Sequence, residues 1–157
     1  ARQGFDVRGW SRSPKQLPGV TCEHGTHSLD AFIASSDILV VMLPLTPHTE
    51  GLLSAERLAL LPAGSCFINV SRGALVDQTA LTEALASGRI AEATLDVFDR
   101  EPLPPEDPLW ALDNVLITPH LASVAIADSA AAQIADNIQR LARGEALLHT
   151  VDPARGY

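Results

Sequence analysis

The sequence predicts an α/β protein: a parallel sheet with helices on both faces, incomplete at its start. Two observations predict it. Short apolar runs of strand length alternate with amphipathic stretches of helical period, and the runs lack the polar alternation of a sheet with one wet face. Capping and breaking residues stand at the junctions between them.

Residues 5–10 read as a strand, and Val20 with Thr21 as a very short one. Residues 28–35 read as a helix, with Ser28 as N-cap and Leu29, Phe32 and Ile33 on one face. Residues 38–42 form a fully apolar strand, and residues 54–61 a helix stopped by Pro62. Residues 66–70 are a strand. Residues 77–87 are a helix capped by Asp77, with Gly88 beyond its end. Strands follow at 93–97 and 115–117. The last helix runs from about residue 123 to residue 143. Its apolar stripe is Ile126, Ala130, Ile134, Ile138 and Leu141, and Gly144 follows it. The proline-rich run Glu101-Pro-Leu-Pro-Pro-Glu-Asp-Pro108 reads as a rigid loop.

A chain of 157 residues with 46% hydrophobic and 19% charged residues belongs to the globular class. Two cysteines, Cys22 and Cys66, make no disulfide framework and fit a reducing, cytoplasmic setting. No apolar run reaches the ~18 residues of a membrane span, and no secretory signal region opens the chain. A net charge of −8 argues against a nucleic-acid surface. The first fifteen residues nevertheless carry Arg2, Arg8, Arg12 and Lys15 against Asp6 alone. Such a segment is either a solvated surface or a seat for an anionic ligand.

In parallel sheets ligands bind beyond the carboxyl ends of the strands, and three of those ends carry suggestive residues. Ser71-Arg72-Gly73 follows one strand, Phe98-Asp-Arg-Glu101 the next, and Thr118-Pro-His120 the third. Arg72 offers a planar fork that grips a carboxylate through two hydrogen bonds. His120 titrates near neutrality and can pass one proton. Glu101 beside it would favour the imidazolium and fix the ring. Together they suit a 2-keto acid. Its carbonyl carbon then needs a hydride, which no side chain supplies, so a nicotinamide cofactor is implied.

Taken together, the segments resemble the D-isomer-specific 2-hydroxyacid dehydrogenases. Asn69-Val-Ser-Arg-Gly-Ala-Leu-Val-Asp77 is similar to the block carrying that family's catalytic arginine. Leu95-Asp-Val-Phe-Asp-Arg-Glu-Pro-Leu-Pro104 resembles the glutamate block, and Ile117-Thr-Pro-His120 the histidine block. Val41-Met-Leu-Pro-Leu-Thr-Pro-His-Thr-Glu-Gly51 resembles the loop along the cofactor's adenosine side. The blocks come in the family's order and cover nearly the whole chain. Trp10-Ser-Arg-Ser13, Arg100-Glu-Pro-Leu-Pro-Pro105 and the ending Val151-Asp-Pro-Ala-Arg-Gly-Tyr157 resemble the glyoxylate/hydroxypyruvate reductase branch.

The resemblance implies a Rossmann-like fold and a role for each residue. Arg72 binds the substrate carboxylate and carbonyl. His120 is the acid in reduction and the base in oxidation, supported by Glu101. Asp96 contacts the nicotinamide carboxamide, and Leu43 and Pro44 line the adenosine side. Val70, Ser71 and Arg72 pass close to the nicotinamide, and His120 also belongs to the cofactor-binding set. The resemblance also implies a homodimer and a small 2-keto or 2-hydroxy acid as substrate, with neither nucleic acid nor membrane as partner.

In dinucleotide folds that take NAD, an acid at the end of the second strand grips the ribose 2′-hydroxyl. Here Ser11-Arg12-Ser13 follows the corresponding strand, with Lys15 close by. A carboxylate would repel the 2′-phosphate of NADP, whereas Arg12 attracts it and two hydroxyls can bond it. NADPH is therefore expected over NAD.

The glycine fingerprint of such folds is missing. No two of the ten glycines are two residues apart, and Gly4 reads as the residue ending the helix after that fingerprint. The expected layout is a partial NAD(P)-binding domain over 1–121, a connecting helix over 122–144, and a tail over 145–157 returning toward an absent substrate lobe. The first strand, the glycine-rich loop and that lobe lie outside the chain. Lacking the loop's backbone N–H cradle, the chain alone is expected to bind NADPH poorly and to turn nothing over.

Cys22, His24 and His27 lie close in sequence but show no fourth ligand, and no metal is expected. His48 and His149 read as loop residues, and Trp110 as a packing residue between the Glu101 and His120 loops. Two other readings stay open: a phosphoglycerate, lactate or formate dehydrogenase of the same family, or a non-catalytic, dinucleotide-sensing corepressor on the same fold.

Overall fold

Among the described residues of the computed structural model every strand pairing is parallel, apart from one isolated bridge in a turn. The structure describes residues 3–123 and 125–153. They belong to two compact units, Ala1–Pro119 and His120–Tyr157.

In the first unit, β1 (Arg8–Ser11) pairs with β2 (Thr21–His24), from Arg8 opposite Thr21 to Ser11 opposite His24. A second sheet has the order β3 (Ile38–Val41), β4 (Ser65–Asn69), β5 (Ile90–Leu95), β6 (Val115–Ile117). Helices α1 (Thr26–Ala34), α2 (Ala55–Leu58) and α3 (Gln78–Ala86) join the strands. This is the predicted Rossmann-like α/β arrangement. Successive strand residues face opposite sides of a sheet. Leu39 and Val41 of β3, Phe67 of β4, and Ala93 and Leu95 of β5 are buried in one cluster with Leu29 and Ile33 of α1, Leu58 of α2, and Leu81 and Leu85 of α3. The alternate residues Ile38 and Val40 are each 46% exposed, and Leu116 is 60% exposed. Among the described residues the alternate positions of these strands are thus the more exposed ones, a difference between faces that an apolar run alone does not reveal.

Several boundaries differ from the sequence reading. Phe5 is exposed and β1 starts only at Arg8. Helix α1 begins two residues early, at Thr26, after Gly25 with φ 77°. Ser28 is therefore not its cap. Its hydroxyl donates to the His24 carbonyl at 2.9 Å and accepts from Trp10 Nε1 at 3.2 Å. Helix α2 is a single turn that ends well before Pro62, continued by the bonds Leu60 N to Arg57 O and Leu61 N to Leu58 O. Asp77 does cap α3, accepting from Ala80 N at 3.0 Å, and Gly88 takes φ 73° beyond it. The Arg8 guanidinium bonds Glu23 and Ser35 and lies 5.8 Å from the Phe32 ring centre. That basic residue of the opening segment is thus committed to holding β1, β2 and α1 together, and Arg2 lies outside the described residues.

In the second unit, α4 (Ala127–Arg143) ends at Gly144 in the left-handed conformation, with Arg140 and Arg143 in its last turn where the helix dipole favours cations. Ile126 precedes the helix as its N-cap instead of lying on the stripe, which begins at Ala130. Ile134, Ile138 and Leu141 are exposed. The tail folds back on α4: Leu148 N donates to Asn137 Oδ1 at 2.9 Å, and Asn137 Nδ2 to Leu148 O at 3.2 Å. No helix among the described residues is long and apolar enough to cross a membrane.

Candidate active site

Val41, Asn69, Leu95 and Ile117 lie abreast across the four-stranded sheet. Because all four strands are parallel, the residues that follow them, Met42, Val70, Asp96 and Thr118, emerge at one end. The sequence-predicted Leu43, Pro44, Val70, Ser71, Arg72, Asp96 and Glu101 all lie on loops leaving that end.

Hydrogen bonds tie these loops together. The buried Asn69 side chain accepts from Ser71 N at 3.1 Å and donates to the Arg72 carbonyl at 3.1 Å. Ser71 Oγ donates to the Leu43 carbonyl, joining the loops after β3 and β4. Pro44 O accepts from Thr49 Oγ1 at 2.6 Å, which closes the loop carrying Leu43 and Pro44. Asp96 is 2% exposed, and its carboxylate accepts from Thr118 Oγ1, joining the ends of β5 and β6.

On this frame the charged side chains reach outward. Arg72 is exposed and its guanidinium donates to the Ser71 carbonyl at 2.6 Å. Glu101 is exposed, and its carboxylate accepts from Phe98 N at 3.0 Å, so the loop's own backbone fixes it. The loop is further shaped by a cis peptide at Glu101-Pro102 and by Trp110, whose Nε1 donates to the Pro104 carbonyl at 2.9 Å. His120 opens the second unit three residues after β6 ends, with φ 53°. A non-glycine residue in the left-handed region is strained, and such residues concentrate at functional positions.

The first sheet ends its β1 strand at Ser11, whose hydroxyl donates to the Ser13 carbonyl at 2.8 Å. Arg12, Ser13 and Lys15 follow in an exposed loop. A strand end carrying two cations and two hydroxyls has the donor chemistry of a phosphate seat and none of the acidic chemistry that selects a free ribose. The His24 and His27 rings stand edge to face, 6.1 Å between centres, and among the described residues no group of three or more His, Cys, Asp or Glu is gathered to hold a metal ion.

Four residues given no individual role in the sequence reading shape this end of the sheet: Asn69, Gly73, Gln78 and Thr118. Asn69 stands directly before Val70 and Thr118 two residues before His120, but only the fold shows that their side chains bond neighbouring loops. An ideal Cβ on Gly73 would stand 2.0 Å from the carbonyl carbon of Phe98 and 2.4 Å from Asp99 N, so the two loops touch backbone to backbone. Loss of solvent, then the nearby carboxylates of Asp77 and Asp107, push the Asp99 carboxyl above its ordinary range. Between the unfolded and folded values the native state holds the extra proton, so stability falls as pH rises through that window. Asp99→Asn is therefore expected to raise the thermal midpoint at about pH 7, with the gain disappearing below about pH 4, the ordinary carboxylate range. A variant that melts lower than wild type at neutral pH would contradict this.

Residues 1–122 match the D-isomer specific 2-hydroxyacid dehydrogenase family, NAD binding domain. The whole chain is 43% identical to the glyoxylate/hydroxypyruvate reductase A of Yersinia enterocolitica and spans 50% of that protein's length. It superposes with TM-score 0.97 and 65% identity on a D-isomer specific 2-hydroxyacid dehydrogenase from Xanthobacter autotrophicus Py2 solved with NADPH and MES, covering all of this chain and 65% of that one. It superposes with TM-score 0.93 and 39% identity on the NADPH-dependent glyoxylate/hydroxypyruvate reductase of Sinorhizobium meliloti solved with NADP and sulfate, covering 99% of this chain and 51% of that one.

Proposed function

Because the chain belongs to the D-isomer specific 2-hydroxyacid dehydrogenase family, we propose that it forms the dinucleotide-binding and catalytic half of an NADPH-dependent reductase of small 2-keto acids. Glyoxylate and hydroxypyruvate are the substrates favoured by the likeness to the Yersinia and Sinorhizobium reductases. The observation that carries the reading is the common end of the parallel sheet, where the Arg72 and Glu101 loops leave adjacent strands and His120 lies three residues beyond the third.

In this reading Arg72 holds the substrate carboxylate in a two-pronged grip and polarises the carbonyl. His120 carries the proton that passes to the carbonyl oxygen on reduction and returns on oxidation. Glu101 fixes the orientation of the imidazole. Leu43, Pro44 and Val70 supply an apolar wall for the dinucleotide, with the Ser71 backbone close by, and Asp96 takes its carboxamide end. Ser11, Arg12, Ser13 and Lys15 take the 2′-phosphate. The bound nicotinamide supplies the hydride that no side chain can.

The test is consumption of NADPH against NADH with hydroxypyruvate and with glyoxylate, in the whole protein. Preference for NADPH is expected. Arg12→Ala should erode that preference by about 10- to 100-fold, the worth of one charge-assisted hydrogen bond of about 1.5–3 kcal/mol. Wild-type preference for NADH would remove Arg12 from the reading while leaving the chemistry at Arg72 and His120. No turnover of any 2-keto acid, despite tight dinucleotide binding, would favour a sensor.

A further inference from the structure

The Gln78 side chain spans two loops that the proposed chemistry must hold in register. It is the first residue of α3, half-buried, directly after the Asp77 cap. Its Oε1 accepts from Asp99 N at 3.0 Å and its Nε2 donates to Asp107 Oδ2 at 3.1 Å. Asp107 in turn caps the short 3-10 turn Pro108–Ala111, accepting from Leu109 N at 3.0 Å. One amide therefore grips the Glu101-bearing loop on both sides of Glu101, at residue 99 and at residue 107. Its own backbone stands five residues after Gly73, which rests bare against the Phe98 carbonyl.

We propose that Gln78 is a positioning residue for the reaction: its amide, with the side-chain-free contact at Gly73, sets where the Glu101 loop stands relative to Arg72. The inference rests on the roles given above to Arg72 and Glu101. The geometry uses both ends of the amide, an acceptor toward Asp99 N and a donor toward a carboxylate. The Gln amide supplies that pair without charge and on two separate atoms, one for each partner. Carboxylates stand close by: Asp107 accepts from the amide, and Asp77 and Asp107 both act on Asp99. A carboxylate in place of the amide would keep the acceptor but face Asp107 with like charge.

The experiment compares Gln78→Glu and Gln78→Leu with wild type in the whole protein, because any substitution at Gly73 would test folding instead. Gln78→Glu is expected to lower kcat for hydroxypyruvate about tenfold at neutral pH, the size of one lost hydrogen bond of about 1–1.5 kcal/mol, with the dinucleotide KM unchanged. Its kcat relative to wild type should rise as pH falls, since protonation returns a donor to Asp107. Gln78→Leu should show the same loss at every pH, together with faster hydrogen exchange at the Asp99 amide. Both variants within twofold of wild type throughout would overturn the inference. So would losses that track weaker dinucleotide binding and lower melting, since those mark a merely structural residue. Failure of the underlying reading looks different: wild type itself then turns over no 2-keto acid, or Arg72→Ala and Glu101→Gln leave turnover intact.

Discussion

His120→Gln is expected to lower kcat for hydroxypyruvate by about 10²- to 10⁴-fold, the range that a positioned acid or base contributes, while dinucleotide affinity stays within about threefold, less than the factor of ten that 1.4 kcal/mol represents. Glutamine is close in size and keeps a polar tip, but it cannot give up a proton near neutrality. The strained backbone at φ 53° matters to the choice of variant. Residues with short polar side chains tolerate the left-handed region best, so His120→Asn should fold at least as well as His120→Gln and should be equally inactive. If both variants melt with the wild type and retain more than a third of its kcat, the proton carrier is another group. Glu101→Gln should act through the same step and lose less.

Much of the fold was legible because the strands are apolar runs bounded by strong punctuation. β6 has the predicted limits, and the Asp77 cap and Gly144 stop follow from local chemistry that tertiary packing has no reason to override. The errors share a physical cause. Ser28 reads as a cap because a serine before an apolar helical stretch usually is one, yet its hydroxyl serves the His24 carbonyl and the Trp10 indole, and a glycine with positive φ makes the turn. Arg8 reads as part of a cationic patch, yet Glu23 and Phe32 claim it from a neighbouring strand and helix. In each case a tertiary partner holds the side chain, the Trp10 indole for Ser28 and Glu23 with Phe32 for Arg8, and no local pattern encodes that partner, although the His24 acceptor of Ser28 is local.

The site divides along the same line. The candidate residues Arg72, Glu101 and His120 stand out in the sequence because they are ionisable types on the loops that follow apolar strands. Asn69, Gly73, Gln78 and Thr118 do not, because each works by bonding or touching a backbone segment on another loop. An amide or hydroxyl near a strand end is common, and only the parallel register shows which loop it meets.

Arg72→Ala should lower kcat/KM for 2-keto acids by about 10²- to 10⁴-fold, as expected for two charge-assisted hydrogen bonds of about 1.5–3 kcal/mol each. The backbone at this position is held independently of the side chain, by Asn69 Nδ2 on the Arg72 carbonyl and by the Gly73 contact. The variant should therefore melt with wild type, so the loss reads as chemistry. Arg72→Lys distinguishes a fork from a charge: an ammonium restores attraction but not the planar two-point match, and should recover only part of the loss. The decisive control replaces the substrate carboxylate with its methyl ester. Wild type should strongly prefer the acid, whereas Arg72→Ala should treat acid and ester nearly alike. If instead the variant loses acid and ester turnover by the same factor, Arg72 acts on the carbonyl or on the bound dinucleotide, and another group holds the carboxylate.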